Sequence, residues 1–385
     1  MADGWDLRGQ DAPEPMDLAT MPIDLAAEHI AVAAIETLDL ASLAHIEPRA
    51  KRFVVPKLAP AGEVTLFTGA GSAGKSLLAQ QLATALAAGV RTLGLDLCQA
   101  PAIYVTCEDD AEQLHWRQAH ICQSLEVSMD SLAGKLHVAS LRGALDNALG
   151  IESADGAFDL APAFHRLSAL IRATGAAFVA LDNVAHLFAG NENDRGEVTR
   201  FVNALNRLAG ESGAAILLLG HPNKSGDTYS GSTAWLNAVR SQVVIEHDMA
   251  TDMRTLIVGK ANYSRKGDAI RFAWVDWAFM LEDDLSPDMA RALADTAKAN
   301  AENAAFMRCL EACTAQHRNV SHQPGINYAP AIFSGMTEAK GIKKPGFASA
   351  MERLLHLGTI ELDAELWPGT NRHTKRGIRA KRIDE

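Results

Sequence analysis

One short stretch, Gly69–Ser76, reads GAGSAGKS and matches the phosphate-binding pattern G-x-x-x-x-G-K-[ST]. Glycines in such a loop let the backbone turn its N–H groups inward, where they surround an anion. Lys75 would then reach the β- and γ-phosphates of a nucleoside triphosphate, and Ser76 would ligate Mg²⁺. The predicted contact residues are Gly69, Ala70, Gly71, Ser72, Ala73, Gly74, Lys75, Ser76 and Leu77.

Two acidic residues follow apolar runs further along the chain. Asp182 ends the run AFVALD and is predicted to complete the Mg²⁺ site beside Ser76, although an aspartate there can also be a turn residue. Asn183 comes next, so the glutamate that often follows the metal-binding aspartate in such sites is missing. The best candidate for the general base is therefore Glu108, at the end of another apolar run. Its alternative role is that of an acid at the start of a helix.

A polar segment follows the apolar run AAILLLG. His221 directly follows this run and is predicted to sense the γ-phosphate or to contact a neighbouring subunit; the alternative is an ordinary structural histidine. Residues Asn223–Asn237 (NKSGDTYSGSTAWLN) combine flexible polar positions with Lys224, Tyr229 and Trp235. This composition favours contact with a nucleic-acid backbone, and an ordinary surface loop is the alternative.

A basic turn, KANYSRKG, runs from Lys260 to Gly267. Because no second phosphate loop accompanies it, we predict that its cations serve the nucleotide of a neighbouring subunit. A residue supplied in this way can raise the rate about 10³- to 10⁵-fold. Lys260 and Arg265 are the candidates, Arg254 is a weaker third, and the alternative is a solvated basic hairpin.

Alternating strands and helices must position these residues. The predicted strands are Val64–Thr68, Ala102–Thr106, Leu136–Ser140, Ala177–Asp182, Ala214–Gly220, Gln242–Glu246, Arg254–Lys260 and Ala269–Trp274. The predicted helices between them are Lys75–Ala88, Asp110–Leu125, Ala161–Thr174 and Glu197–Ser212, and residues 142–160 are predicted to be a loop. This pattern indicates an α/β fold with a mostly parallel sheet, helices on both faces and ligands beyond the carboxyl ends of the strands. We expect the last three strands to extend the sheet in antiparallel fashion.

The two ends of the chain differ from this core. Residues 1–50 are acidic and are predicted to be a partly disordered arm, with an amphipathic helix over Ile23–Leu43. We place the ATPase-like core at residues 51–286, a polar helical linker at 287–300 and a small C-terminal domain at 301–385. Three short helices, a strand and a basic hairpin in that domain suggest a winged helix, whose basic wing would contact phosphates. The alternative is a helical packing domain with a basic disordered tail.

Composition narrows the class of protein. The chain has 385 residues, 48% of them apolar, and no apolar run approaches the length of a membrane span. Its formal charge of −11 argues against coating nucleic acid by bulk charge but permits a local basic groove. Five scattered cysteines and the lack of a basic-apolar N-terminal signal favour a reducing cytoplasm, with no membrane partner.

Together, GAGSAGKS, the CED triplet, FVALDN, LLLGHPNK and GKANYSR resemble the RecA-like AAA family over about Phe53–Phe279. Within it, they are most similar to RepA-type replicative helicases of plasmids and phages. The resemblance implies a hexameric ring that binds ATP and Mg²⁺ between subunits and single-stranded DNA in its central channel. It also implies that Lys75 and Ser76 are the phosphate-loop pair, Glu108 the catalytic glutamate and Asp182 the metal-side acid. His221 then links nucleotide to the DNA loop, and Lys260 and Arg265 lie in the basic finger region.

The function expected from sequence is thus an ATP-dependent DNA motor, a ring helicase in the replication of a mobile element. The alternative is a DNA-binding regulatory or recombination-type ATPase that uses ATP as a switch without unwinding. A small-molecule kinase is disfavoured because no acceptor site or lid follows the sheet.

Overall fold

A computed structural model describes residues 37–152, 158–220, 233–260, 268–368 and 373–381. The chain divides into two compact units, Met1–Ala50 and Lys51–Glu385. In its described part, the first unit contains the four-residue helix α1 (Leu40–Leu43), whose first turn is capped by the Asp39 carboxylate. No described helix is both long and apolar enough to cross a bilayer.

The elements alternate along the second unit much as the hydrophobic pattern predicts. The described helices of this unit are α2 (Lys75–Ala88), α3 (Ala111–Ser124), α4 (Pro162–Thr174), α5 (Val184–Leu187), α6 (Arg195–Ser212), α7 (Thr233–Ala238), α8 (Pro287–Ala315), α9 (Ala329–Phe333) and α10 (Lys344–His356). The strands are β1 (Phe53–Val55), β2 (Ala59–Pro60), β3 (Val64–Gly69), β4 (Ala102–Thr106), β5 (Leu136–Ser140), β6 (Gly150–Glu152), β7 (Phe158–Leu160), β8 (Phe178–Asp182), β9 (Phe188–Ala189), β10 (Ala215–Leu219), β11 (Ser241–Asp248), β12 (Met253–Lys260), β13 (Ala269–Val275), β14 (Ala278–Leu281), β15 (Ile360–Pro368) and β16 (Thr374–Ala380). Short 3₁₀ helices cover Met129–Leu132, Glu282–Asp284 and Thr337–Ala339.

Within the described residues, the large sheet has nine strands in the order β14-β13-β12-β11-β3-β10-β8-β4-β5. The run from β11 to β5 is parallel, and β12, β13 and β14 continue it in antiparallel fashion. The predicted α/β class with a mostly parallel sheet is therefore confirmed. The three strands predicted to be antiparallel correspond to β11, β12 and β13. The prediction is wrong for β11, because it pairs parallel to β3. The connection before β11, which includes α7, is long enough for the crossover that a parallel neighbour requires.

Alternate residues of the central strands enter two separate cores, one on each face of the sheet. Phe67 and Tyr104 pack with α2 on one face, whereas Leu66 and Ile103 pack with α4 and α6 on the other. Strands buried on both faces need apolar residues at nearly every position, which explains their uninterrupted apolar runs. Both helical layers hold the strand ends of this sheet in fixed positions.

One of two local predictions differs from the structure. Residues 142–160 are not entirely a loop, since β6 pairs with both β7 and β9 in a small second sheet. The helix predicted for residues 287–300 is present, and α8 continues from it without a break to Ala315, because no glycine or proline follows Pro287 within it to end the helix.

The C-terminal residues have their own hydrophobic cluster, built around Phe306, Phe333 and Phe347. Glu302 is buried and forms an ion pair with Arg353 at 2.7 Å. Three helices followed by the β15–β16 hairpin match the predicted order of elements, and the winged-helix assignment stays a prediction.

The described hairpin is less basic than its second strand alone indicates. Arg379 of β16 forms an ion pair with Glu361 of β15 at 2.8 Å, and Arg376 donates to the carbonyl of Asp363 at 2.9 Å. Glu361 therefore compensates one of the charges that were expected to contact phosphates, and a backbone carbonyl of β15 binds a second guanidinium group.

Candidate active site

The glycine-rich loop joins the end of β3 to the start of α2, as its motif requires. Gly69 is the last residue of β3 and Gly74 is the N-cap of α2, while Lys75 and Ser76 open the helix. Ser72 and Gly74 have left-handed backbone conformations with φ of 60° and 98°. These conformations form an anion-binding concavity that the positive end of the α2 dipole strengthens.

Two of the loop's glycines are required by space, and Gly74 is required by its positive φ as well. A Cβ atom on Gly69 would lie 2.4 Å from Cγ2 of Ile245, on β11. A Cβ atom on Gly74 would lie 2.4 Å from the ring of Phe279, on β14. Strand β14 is in turn bound to α2, because the Gln81 amide exchanges two hydrogen bonds, of 2.8 and 2.7 Å, with the backbone of Phe279. The antiparallel end of the sheet thus supports the loop.

Lys75 is the buried cation of this loop. Its Nζ donates hydrogen bonds to the carbonyl oxygens of Gly69 at 2.7 Å and Ala70 at 3.0 Å. Burial lowers the pKa of Lys75, and the nearby carboxylates of Asp182 and Glu108 oppose this effect. The three predicted residues therefore lie within electrostatic reach of one another.

Asp182 ends β8, which pairs with β4, and is almost completely buried. Its Oδ2 accepts a hydrogen bond from the Tyr104 hydroxyl at 2.8 Å. Burial raises the pKa of Asp182, and hydrogen bonding from Ser76 and Tyr104 counteracts this rise. Burial also raises the pKa of Tyr104 well above its ordinary value, so the phenol stays a proton donor.

The donor set of Asp182 and Ser76 fits Mg²⁺. A buried carboxylate beside a hydroxyl supplies hard oxygen ligands, and Mg²⁺ in nucleotide sites takes only one or two protein ligands besides phosphates and water. The described residues contain no group of three or more histidine, cysteine or acidic side chains that could hold a metal by themselves. A magnesium ion at this site would depend on the nucleotide for its remaining ligands.

Glu108 follows β4 at the same edge of the sheet, and its carboxylate is exposed. Its Oε1 accepts a hydrogen bond from Nδ2 of the buried Asn183 at 2.6 Å. Asn183, which stands where an acid often follows the metal-binding aspartate, thus holds the carboxylate of Glu108, which follows the neighbouring strand β4. Glu108 does not cap the next helix: Asp110 does so, with Oδ1 accepting from the Gln113 N–H at 2.8 Å.

The basic candidates are placed differently. Lys260 ends β12, and its Nζ donates to the carbonyl oxygens of Leu236 and Val239 at 2.8 and 2.7 Å. Its ammonium therefore binds the end of α7 within the same chain. Arg254 is buried beside Asp252 and lies over the Phe279 ring at 5.8 Å. His221 and Arg265 lie outside the described residues.

An aromatic cluster lies next to β14, the strand that supports the glycine-rich loop. Trp277 contacts Trp116 of α3 and Trp274 of β13, with ring centroids 4.6 and 4.7 Å apart. Trp116 and Trp277 are 39% and 46% exposed. Trp277 and Asp276 form the two-residue turn between β13 and β14, and both have positive φ. Such turns favour Asn-Gly, and a bulky residue with positive φ is strained.

Sequence reasoning missed Asn183, Tyr104 and the tryptophan cluster. For Asn183 a signal existed, since parallel strands that end in Glu108 and Asp182 bring the next residues together. Tyr104, a hydroxyl in an otherwise aliphatic run, was a weaker signal. The tryptophans gave none, because α3 and the β13–β14 turn are far apart in sequence.

Cysteine labelling provides a check on this geometry. Burial raises the pKa of the Cys107 thiol, beside Glu108, to about 11, and Cys98 is exposed. At pH 8 only about one Cys107 in a thousand is then a thiolate, the reactive form. We expect a thiol reagent to modify Cys98 rapidly in the native protein and Cys107 only as the pH approaches 11. Mass spectrometry of the labelled peptides measures this, and rapid labelling of Cys107 at pH 8 would contradict the buried placement.

Residues 31–227 match the family model described as AAA domain, which covers just over half of the chain. The matched region contains the glycine-rich loop, Glu108 and Asp182, and it ends before β11. The match agrees with the site geometry, in which a phosphate loop and two acidic strand ends meet at one edge of a parallel sheet. The chain therefore belongs to the AAA domain family of P-loop ATPases.

Proposed function

We propose that this protein is an ATP-dependent DNA motor, a hexameric ring helicase that replicates a plasmid or phage and moves on single-stranded DNA. The proximity of Glu108 to Asp182 and Lys75 supports this proposal most strongly. A base on the strand beside the metal-side strand is the arrangement of RecA-like motors, to which the sequence motifs also bear resemblance.

In the proposed reaction, backbone N–H groups of the loop and the Lys75 ammonium bind the β- and γ-phosphates. The ammonium exchanges its contacts with the Gly69 and Ala70 carbonyls for phosphate oxygens. Glu108, held through one oxygen by Asn183, uses the other to accept a proton from the attacking water. Mg²⁺, held by Ser76 and Asp182, would neutralise the charge that develops on the phosphates.

The exposed tryptophans offer a binding face for the base of ATP. Phe279 of β14, two residues after Trp277 of the preceding turn, packs on Gly74, so the cluster lies beside the phosphate loop. Aromatic stacking on a base contributes about 1–3 kcal/mol. The positive φ of Trp277 disfavours the turn itself, which supports a binding role for this residue.

We expect Trp277→Gly to weaken ATP binding by about 5- to 150-fold, since the stacking face is lost. Glycine adopts positive φ without strain, so thermal stability should not fall as a result of the turn. Calorimetric titration with ATP measures binding of the base and the phosphates together. Titration with inorganic tripolyphosphate measures binding at the phosphate loop alone. Equal weakening of the two ligands would contradict the assignment, because tripolyphosphate has no base.

A strand-displacement assay tests the motor. The helicase should separate forked DNA substrates of one polarity in the presence of ATP and Mg²⁺, with ATP hydrolysis stimulated by single-stranded DNA. Stimulated hydrolysis without unwinding of forks of either polarity would reject the helicase. It would favour the alternative, a regulatory or recombination-type ATPase, for which the added C-terminal helices and hairpin would be the DNA-binding part.

Mixed oligomers test whether a site is completed by its neighbour. Arg265→Ala and Lys75→Ala subunits should each be inactive alone and should regain part of the ATPase activity when mixed, if Arg265 acts across the boundary. Sizing chromatography must show intact oligomers in the mixture. Absence of rescue in intact oligomers would remove Arg265 from this role, and the same experiment with Lys260→Ala examines the other candidate.

A further inference from the structure

A groove of about 600 Å³ lies between α4 and α6, which pack on the face of the sheet opposite α2. Phe164, Ser168 and Leu208 belong to its lining. Three arginines, Arg172, Arg200 and Arg207, line it as well. We call this site the arginine groove, and it takes no part in the proposed chemistry of ATP.

The charges of the arginine groove are poorly compensated. Glu211 forms an ion pair with Arg207 at 2.8 Å and lies 3.9 Å from Arg172, so two guanidinium groups share one carboxylate. Arg200 has no ion pair with any residue that the structure describes. Such an excess of cations is notable in a chain with a formal net charge of −11, and it indicates an anionic ligand.

Neutral groups in the groove are also available for a ligand. Ser168 is 8% exposed, and its hydroxyl forms no hydrogen bond within the described part of the chain. The hydroxyl oxygen still reaches solvent, so it is free to bond to water or to a ligand. The half-buried Phe164 supplies an aromatic ring beside it, in edge contact with His165.

We propose that the arginine groove binds single-stranded nucleic acid. Arg200 and Arg207 are seven residues apart on α6, about 10.5 Å along the helix axis, so they can follow successive parts of one backbone. Guanidinium groups match phosphates in a bidentate manner, and an aromatic ring accepts any base. An acidic peptide would use the arginines but would have less use for the ring, which favours nucleic acid.

The test measures binding of fluorescein-labelled dT20 by anisotropy over a series of salt concentrations, without nucleotide. Arg200→Gln should weaken binding about five- to tenfold at low salt and reduce the slope of log K against log salt by about 0.7. Arg172→Gln with Arg200→Gln should reduce this slope by about 1.4. Arg291→Gln is the matched control, since Arg291 is exposed on α8 and has no ion pair among the described residues. The Arg291→Gln variant should change neither the affinity for dT20 nor the salt slope.

A second measurement needs no variant. Photocrosslinking of the wild-type protein to dT20 that carries 5-iododeoxyuridine should label the tryptic peptide of residues 143–166, which contains Phe164. Crosslinks confined to other peptides, unchanged salt slopes in both groove variants, or no binding of dT20 by the wild type would each overturn the proposal. Variants that lose affinity for a polyglutamate peptide but not for dT20 would identify an acidic-peptide site instead.

The proposal for the arginine groove and the proposal of a DNA motor can be rejected independently of each other. Basal ATP hydrolysis by Arg200→Gln should equal that of the wild type, because the groove lies on the face opposite α2. A wild type that binds dT20 through the groove but never hydrolyses ATP would reject the motor and leave the groove assignment intact.

Discussion

Replacing Glu108 with glutamine should leave ATP bound and unhydrolysed. Glutamine keeps the size of the side chain and an oxygen that can accept the 2.6 Å hydrogen bond from Asn183, but it cannot accept a proton from water. General base catalysis is worth about 10²- to 10⁴-fold, so kcat should fall by that factor. Phosphate release measures kcat, and titration with a fluorescent ATP analogue measures binding.

The control for this substitution is Glu112→Gln, the same chemical change at an exposed position in the first turn of α3. It should hydrolyse ATP at nearly the wild-type rate. A Glu108→Gln variant that turns over ATP as fast as this control would show that another group is the base.

Lys75→Ala should abolish turnover for a different reason. The lysine contributes a charged hydrogen bond to the phosphates, worth about 1.5–3 kcal/mol, so affinity for ATP should fall by about 10- to 150-fold. Hydrolysis should fall below detection, because the same ammonium stabilises the charge that moves onto the phosphates in the transition state. Binding titration and phosphate release measure the two losses separately.

Lys57→Ala is the matched control, since Lys57 is largely exposed and its one ion pair among the described residues is a surface contact with Asp268 at 3.3 Å. Because Lys75 also bonds two loop carbonyls, a melting curve without nucleotide must accompany the assay. A folded Lys75→Ala protein that still hydrolyses ATP would contradict the assignment of this loop.

The parts of the site that follow from local sequence were predictable. The loop, α2 and the acidic ends of β4 and β8 are set by contiguous motifs and by uninterrupted apolar runs. In a parallel sheet these runs place their carboxyl ends at one edge, which is why Glu108 and Asp182 could be paired without a structure.

Side-chain direction and short strands were not predictable in this way. The sequence places Lys260 at a strand end but does not show that the carbonyls at the end of α7 bind its ammonium. Strands β6 and β7 have three residues each, too few for a periodic pattern. The parallel pairing of β11 depends on which edge of β3 is free, which is a property of the whole sheet.

Because Phe279 packs on Gly74, the sequence motifs alone are not sufficient for a working site. A fragment of residues 31–227 would contain Lys75, Glu108 and Asp182 and would still match the family, but it would end before the strand that supports the loop. Such a fragment should bind nucleotide poorly despite its complete motifs. The smallest functional piece of this protein is therefore set by where its sheet closes around α2, and it is longer than the region that sequence similarity outlines.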